Sequence, residues 1–87
     1  MGPLNATNIT TATTTVVKTG IGRLKAIVVN TTAAGTITIY DNTSAAGTKI
    51  GTMKTSIAEN TYTYECRFQT GLTIVTGAAS DITVIWE

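Results

Sequence analysis

Histidine is absent from this chain of 87 residues, and cysteine occurs only once, as Cys66. A single cysteine excludes a disulfide within the chain, and without histidine it cannot complete the usual ligand set of a zinc site. The five acidic residues stand far apart in the sequence, so they do not suggest the carboxylate pair that acid–base catalysis would otherwise use. We therefore expect no catalytic residue, no metal and no cofactor, and the chain is not predicted to be an enzyme.

Charged residues are also scarce, at 13% of the chain, and the net charge is only +1. The six basic residues are scattered along the sequence, without the run or patch that marks a surface for nucleic acid or anionic membrane. No apolar stretch approaches the ~20 residues of a membrane-spanning helix, and residues 1–15 lack the basic and apolar regions of a signal peptide. We therefore expect synthesis in the cytoplasm and partners that include no nucleic acid and no membrane.

The low charge also bears on the oligomeric state. A domain of this size buries only ~60–65% of the surface that its unfolded chain exposes, and it has no disulfide or metal to compensate. Typical soluble domains contain ~25% charged residues, so we expect copies of the same chain to cover part of the apolar surface in a homo-oligomer. The alternative is that threonine, about a quarter of the chain, keeps the surface polar without charge.

What the sequence does contain is a regular series of short alternating segments separated by turn residues. Residues 36–40 alternate threonine with apolar residues, and residues 61–68 place aromatic side chains on one face and Glu65 and Arg67 on the other, as an expected exposed ion pair. Period-two alternation of β-branched and aromatic residues predicts strands. Seven or eight short antiparallel strands indicate an all-β fold, a single small β-sandwich or jelly roll over residues 16–87.

The aromatic face has two interpretations. Tyr62, Tyr64 and Phe68 could form the core together with Trp86, because aromatic residues supply much of the buried area of a small domain. Alternatively, they could form a platform on which bases or sugar rings stack. Cys66 shares this face and has no recognisable base beside it, so it is predicted to be a small buried hydrophobic residue.

The beginning of the chain differs in composition from the rest. Residues 5–15 are rich in threonine and asparagine, with Ile9 as their apolar anchor. Such residues disfavour helix and suit extended structure. Residues 1–15 are therefore predicted to form an extended N-terminal arm that becomes ordered where it pairs with another surface, with Asn8, Ile9 and Thr10 as interface residues. The alternative is a frayed tail.

Two predicted strands are apolar on both faces. They are residues 26–29 and residues 82–86. Burial on both faces is expected at the centre of a parallel sheet and less so in a small sandwich. We therefore predict that a second face, carrying Ile27, Val29 and Ile85, meets a neighbouring subunit. The alternative is that the arm or a loop of the same chain covers it.

Four segments after the arm combine strand and turn residues in a familiar order: GRLKAIVV at 22–29, AGTITIYDNTSAAGTKI at 34–50, FQTGLTI at 68–74 and DITVIWE at 81–87. Through them, nearly all of the chain after the arm resembles small virion proteins of tailed bacteriophages. The resemblance is a pattern of strand and turn residues rather than a catalytic signature.

The resemblance implies a small β-sandwich on the outside of the phage head, where such proteins act as decoration or cement proteins and trimers are common. The implied partners are other copies of the chain, in a homotrimer, and the major capsid protein, with the virion's outer capsid surface as the location. A cement protein needs rigid structure, self-association and contact area, which suits this composition. The alternative is a receptor- or carbohydrate-binding module of a phage fibre or neck assembly.

Overall fold

A computed structural model describes residues 3–87, within which every regular element is a β-strand. The strands are β1 (Asn5–Ile9), β2 (Thr14–Thr19), β3 (Gly22–Thr31), β4 (Ile37–Asp41), β5 (Thr48–Met53), β6 (Thr61–Phe68), β7 (Gly71–Thr76) and β8 (Asp81–Trp86). They form two antiparallel sheets of four strands each, which confirms the predicted all-β sandwich. Residues 3–87 include no helix long and apolar enough to span a bilayer.

The strand order is that of a jelly roll. The first sheet has the order β1-β8-β3-β6 and the second sheet has the order β2-β7-β4-β5. The first strand therefore pairs with the last, the second with the seventh, the third with the sixth and the fourth with the fifth. A long two-stranded ribbon that wraps around a common core in this way is the jelly-roll arrangement.

The core lies between the two sheets and is almost entirely aliphatic. Its buried side chains are Ile9, Leu24, Ile27, Val29, Ile37, Ile39, Met53, Phe68, Leu72, Ile74, Ile82 and Val84. Successive side chains of a strand point to opposite faces of the sheet. The core residues occupy the inward positions, and threonine occupies many of the outward positions. Threonine remains compatible with the strand because its branched Cβ favours extended backbone.

The aromatic face predicted for β6 lies against this core. Phe68 is fully buried, and Tyr62, Tyr64, Cys66 and Trp86 are partly buried against the core residues. The core interpretation of the aromatic residues is therefore confirmed, and the stacking platform is not formed by this face.

The predicted N-terminal arm is extended, but it is part of the sandwich. β1 is hydrogen-bonded to β8 at the edge of the first sheet, with Asn5 opposite Trp86 and Ile9 opposite Ile82. The predicted boundary at residue 15 falls inside β2, so the separate arm at 1–15 is corrected: after residue 4 it belongs to the folded body. Met1 and Gly2 lie outside the described residues.

A β-bulge changes the partner of Glu65. The register between β3 and β6 shifts between Leu24 and Ala26, and Glu65 has a φ of 49°. The Glu65 carboxylate lies 3.0 Å from the ammonium group of Lys25 on β3. The ion pair predicted between Glu65 and Arg67 is therefore wrong, because the bulge breaks the alternation on which that prediction depended.

One carboxylate joins two turns at the end of the second sheet. The backbone N–H groups of Gln69, Thr70 and Gly71 donate to the carboxylate of Asp41, at 2.9–3.4 Å. The next residue, Asn42, accepts a hydrogen bond of 2.7 Å from the hydroxyl of the buried Thr73. The loop after β4 therefore covers part of the outer surface of the second sheet.

Candidate interaction surfaces

The outer surface of the first sheet has no third layer over it, because residues 3–87 form only two sheets. Ala6 stands opposite Ile85, and Ile85 stands opposite Ala26, in a row across three strands. Val28 lies one outward position further along β3, and all four side chains are exposed or half-buried. We call Ala6, Ala26, Val28 and Ile85 the outer apolar patch. It contains no charged side chain, and charged residues are depleted at the core of protein interfaces.

Polar side chains border the outer apolar patch at one end. The Asn8 and Asn30 amides both donate to the Asp81 carboxylate, at 2.8 Å and 3.2 Å. Asn30 also donates to the hydroxyl of Thr83 at 3.1 Å. This network fixes the orientation of four exposed or half-buried side chains, which reduces the entropy that a partner would have to remove on binding.

A charged pair lies on the β3 and β6 side of the same surface. The hydrogen bond that Lys25 donates, followed by its positive charge, lowers the pKa of the Glu65 carboxyl. Glu65 is exposed and Lys25 is half-buried. An ion pair at the surface contributes little to folding. The charges of Lys25 and Glu65 cancel, so this side of the surface has no net charge from the pair.

The six residues predicted as an interface separate into two groups. Asn8, Thr10 and Ile85 are exposed or half-buried, and Asn8 and Ile85 lie on the outer surface of the first sheet. Ile9, Ile27 and Val29 are at most 4% exposed and belong to the core between the sheets. The prediction for these three residues is corrected, because their own chain covers them. The bulge in β3 inverts the expected alternation, so that Ala26 and Val28 face outward instead.

A groove that the sequence did not predict lies where β1, β3, β6 and β8 end or begin. Its volume is about 480 Å³, and the residues that characterise it are Lys18, Ile21, Arg23, Arg67, Trp86 and Glu87. We call it the terminal groove. Sequence reasoning missed it because Arg67 lies far along the chain from Lys18 and Arg23. The strand pairing that places Arg67 opposite Arg23 cannot be read from a local pattern.

Trp86 is held firmly at this groove. Its indole N–H donates to the Thr7 hydroxyl at 3.0 Å, and the Lys18 ammonium lies 5.7 Å from the centre of its rings. A cation at this distance over an indole is attracted to the face of the rings. Both contacts fix the position of the only tryptophan in the chain.

The chemistry of Cys66 follows from its position beside the core. Burial, followed by the negative charge of Asp41, raises the pKa of the Cys66 thiol, so the thiol is protonated at neutral pH. Burial likewise raises the pKa of the Tyr64 hydroxyl. A protonated thiol is a poor nucleophile. In the described part of the chain, no three His, Cys, Asp or Glu side chains come together as metal ligands.

Replacing Ile9 with valine tests whether β1 belongs to the folded body. Ile9 is 4% exposed, so we expect the loss of one buried methylene to lower the free energy of unfolding by about 1 kcal/mol. Urea denaturation followed by circular dichroism measures this. The control is Thr10→Ser at the exposed neighbouring position, where the change should stay within about 0.5 kcal/mol. Equal stability of the Ile9→Val variant and the parent chain would mean that β1 is not docked in solution.

Comparison of the chain with protein-family models finds no match. Comparison with curated proteins likewise finds none.

Proposed function

We propose that this protein is a structural component of a phage virion, a capsid decoration protein that binds the outer head shell and stabilises it. The observation that carries the proposal is the outer apolar patch, which offers an uncharged surface on a four-stranded sheet with no layer of its own chain over it. The resemblance to virion proteins, carried by residues 22–29, 34–50, 68–74 and 81–87, supports the same function. Jelly rolls form both viral capsid domains and lectin domains, so the fold is compatible with this use without establishing it.

The proposed assembly is a homotrimer that contacts the major capsid protein. Small, weakly charged side chains allow sheets or loops of a partner to approach closely, and the fixed polar network around Asp81 would supply hydrogen bonds at the rim of such a contact. The arrangement of an apolar centre and a polar rim is common in protein interfaces.

The second candidate function is a carbohydrate- or receptor-binding module of a fibre or neck. Trp86 is half-buried beside an open groove, and a tryptophan in such a position is the kind of residue that contacts a sugar ring. The Lys18 ammonium already lies over that ring. This contact favours the structural function, because a sugar would first have to displace the lysine.

Replacing Ile85 with lysine tests the outer apolar patch. We expect the light-scattering mass of the parent chain to be that of an oligomer, and the Ile85→Lys variant to have the mass of a monomer at the same concentration. The reason is that a lysine ammonium buried in an apolar contact without a partner loses its hydration. The variant should also fail to bind purified phage heads that lack their own decoration protein.

The matched control is Thr52→Lys, which adds the same charge at an exposed position of β5 on the second sheet. It should keep the mass and the head binding of the parent chain. A parent chain that is monomeric and does not sediment with heads would contradict the proposed function. Loss of binding in both variants would show that added charge, rather than the outer apolar patch, is responsible.

A further inference from the structure

The terminal groove holds three of the six basic residues of a chain whose net charge is only +1. Lys18, Arg23 and Arg67 line it against one acid, Glu87, so the groove carries a net charge of +2. The whole chain carries only +1. The remaining surface is therefore slightly acidic, and the positive potential of the molecule is centred on this groove.

Two of these cations are placed against each other. Arg23 and Arg67 are direct cross-strand partners in the pairing of β3 with β6. Like charges directly opposite each other destabilise a sheet. An acidic residue at either position would stabilise the strand pairing. A bound anion would have the same effect on the arginine pair.

Glu87 neutralises the arginine pair only in part. Its carboxylate forms an ion pair with Arg23, but it lies 3.9 Å from Nε, which is too long for a hydrogen bond. Its other carboxylate oxygen is buried without a hydrogen-bond partner in the described part of the chain. Within residues 3–87, Arg67 and Lys18 form no ion pair at all. The donors of the arginine pair therefore remain available to a ligand.

The groove also has an apolar side. Ile21 is 55% exposed, and the half-buried Trp86 lines the same groove. A ligand that matched the groove would bring a carboxylate to the arginines and an apolar side chain to Ile21 and Trp86. Guanidinium groups bind carboxylates through paired hydrogen bonds.

We propose that the terminal groove binds an acidic segment of another protein, in which carboxylate side chains stand next to apolar ones. Nucleic acid fits less well, because its binding needs a basic stripe along the surface, and the three cations here are confined to one groove of about 480 Å³. The site is distinct from the outer apolar patch and does not depend on the proposed virion function.

Trp86 provides the measurement, because it is the only tryptophan and it lines the groove. The probe is a short acetylated and amidated peptide of alternating aspartate and leucine, added to the full chain while tryptophan fluorescence is recorded. We expect a saturable change at micromolar to millimolar peptide. Arg67→Gln should weaken binding about tenfold, because the peptide carboxylate loses a charge-assisted hydrogen bond.

The control variant is Lys49→Gln, which removes one positive charge from exposed β5 on the second sheet and should leave the affinity unchanged. The control peptide has asparagine in place of aspartate and should bind at least tenfold more weakly. The proposal is overturned by the absence of a saturable change with the aspartate peptide, or by equal binding of the asparagine peptide. Tighter Arg67-dependent binding of heparin or a single-stranded oligonucleotide would also overturn it, in favour of a polyanion site.

Discussion

Replacing Phe68 with alanine will lower the free energy of unfolding by about 4 kcal/mol. Phe68 is completely buried at the end of β6 and is the largest side chain in the core. Its ring packs directly beneath the backbone of β3, where a Cβ added at Gly22 would come within 2.6 Å of the ring. Because a domain of this size is stable by only about 5–10 kcal/mol, the variant will be close to unfolding at room temperature.

Urea denaturation at 25 °C, followed by circular dichroism, measures this loss. Phe68→Leu is the matched variant, since leucine fills more of the space, and its loss should be smaller than that of the alanine variant. Gln69→Ala, at the exposed adjacent position, should change stability by no more than about 0.5 kcal/mol. A loss below about 1 kcal/mol in the alanine variant would show that the two sheets can close over the vacated volume.

Replacing Asp41 with asparagine will lower the free energy of unfolding by about 2 kcal/mol at pH 7. The Asp41 carboxylate accepts hydrogen bonds from three successive backbone N–H groups between β6 and β7. Asparagine has nearly the same shape, and its amide oxygen can accept the bonds now made to Oδ1, but it carries no charge. Its NH₂ group would also face the N–H of Gln69 in place of the second carboxylate oxygen. The control is Glu59→Gln. The Glu59 carboxylate accepts a single backbone hydrogen bond, from Thr32, and the amide oxygen of the glutamine variant can still accept that bond.

The Asp41 interaction also makes stability depend on pH in one direction. Burial by itself would raise the pKa of Asp41, but the hydrogen bonds from Thr70, Gln69 and Gly71 outweigh it and hold the pKa below the ordinary 3.8. The folded state therefore keeps its carboxylate charged where the unfolded chain is already protonated. The stabilisation is complete above the unfolded pKa and is lost as the pH falls through the lower folded pKa.

Urea denaturation between pH 7 and pH 2 measures this dependence. Below pH 4 the parent chain should lose more stability than the Asp41→Asn variant, so that the difference between them narrows with acidification. Other carboxylates, including Glu65, titrate in both proteins and cancel in the comparison. Parallel curves for the two proteins over the whole range would show that Asp41 is not responsible.

The sequence predicts the strands well because their determinants are local. Alternation of threonine with apolar residues in β4 and β6 is visible within a few residues, and the turns between them are marked by glycine, asparagine and aspartate. Which strands pair cannot be read in the same way, since it depends on contacts between distant segments. Residues 1–15 were therefore predicted as an arm, although β1 pairs with β8 and places Ile9 in the core.

The candidate sites were harder to predict because β-bulges determine which side chains lie on which face of the sheet. A period-two pattern assigns a face to each residue only while the register is unbroken. The irregularity between Leu24 and Ala26 moves Ile27 and Val29 from the predicted interface into the core, and the bulge at Glu65 gives that residue a different partner. The arginine pair of the terminal groove depends on the same register, so no local pattern could reveal it.

The pairing of the first strand with the last has a consequence for synthesis on the ribosome. β1 emerges first but cannot find its hydrogen-bonding partner until β8, at the other end of the chain, has been translated. Folding of a topology with such distant contacts is slow, and a nascent strand with free edges is prone to aggregate. Residues 5–15 are rich in threonine and asparagine, and Ile9 is the one core side chain in β1. This part of the nascent chain is therefore mostly polar before β8 has been synthesised.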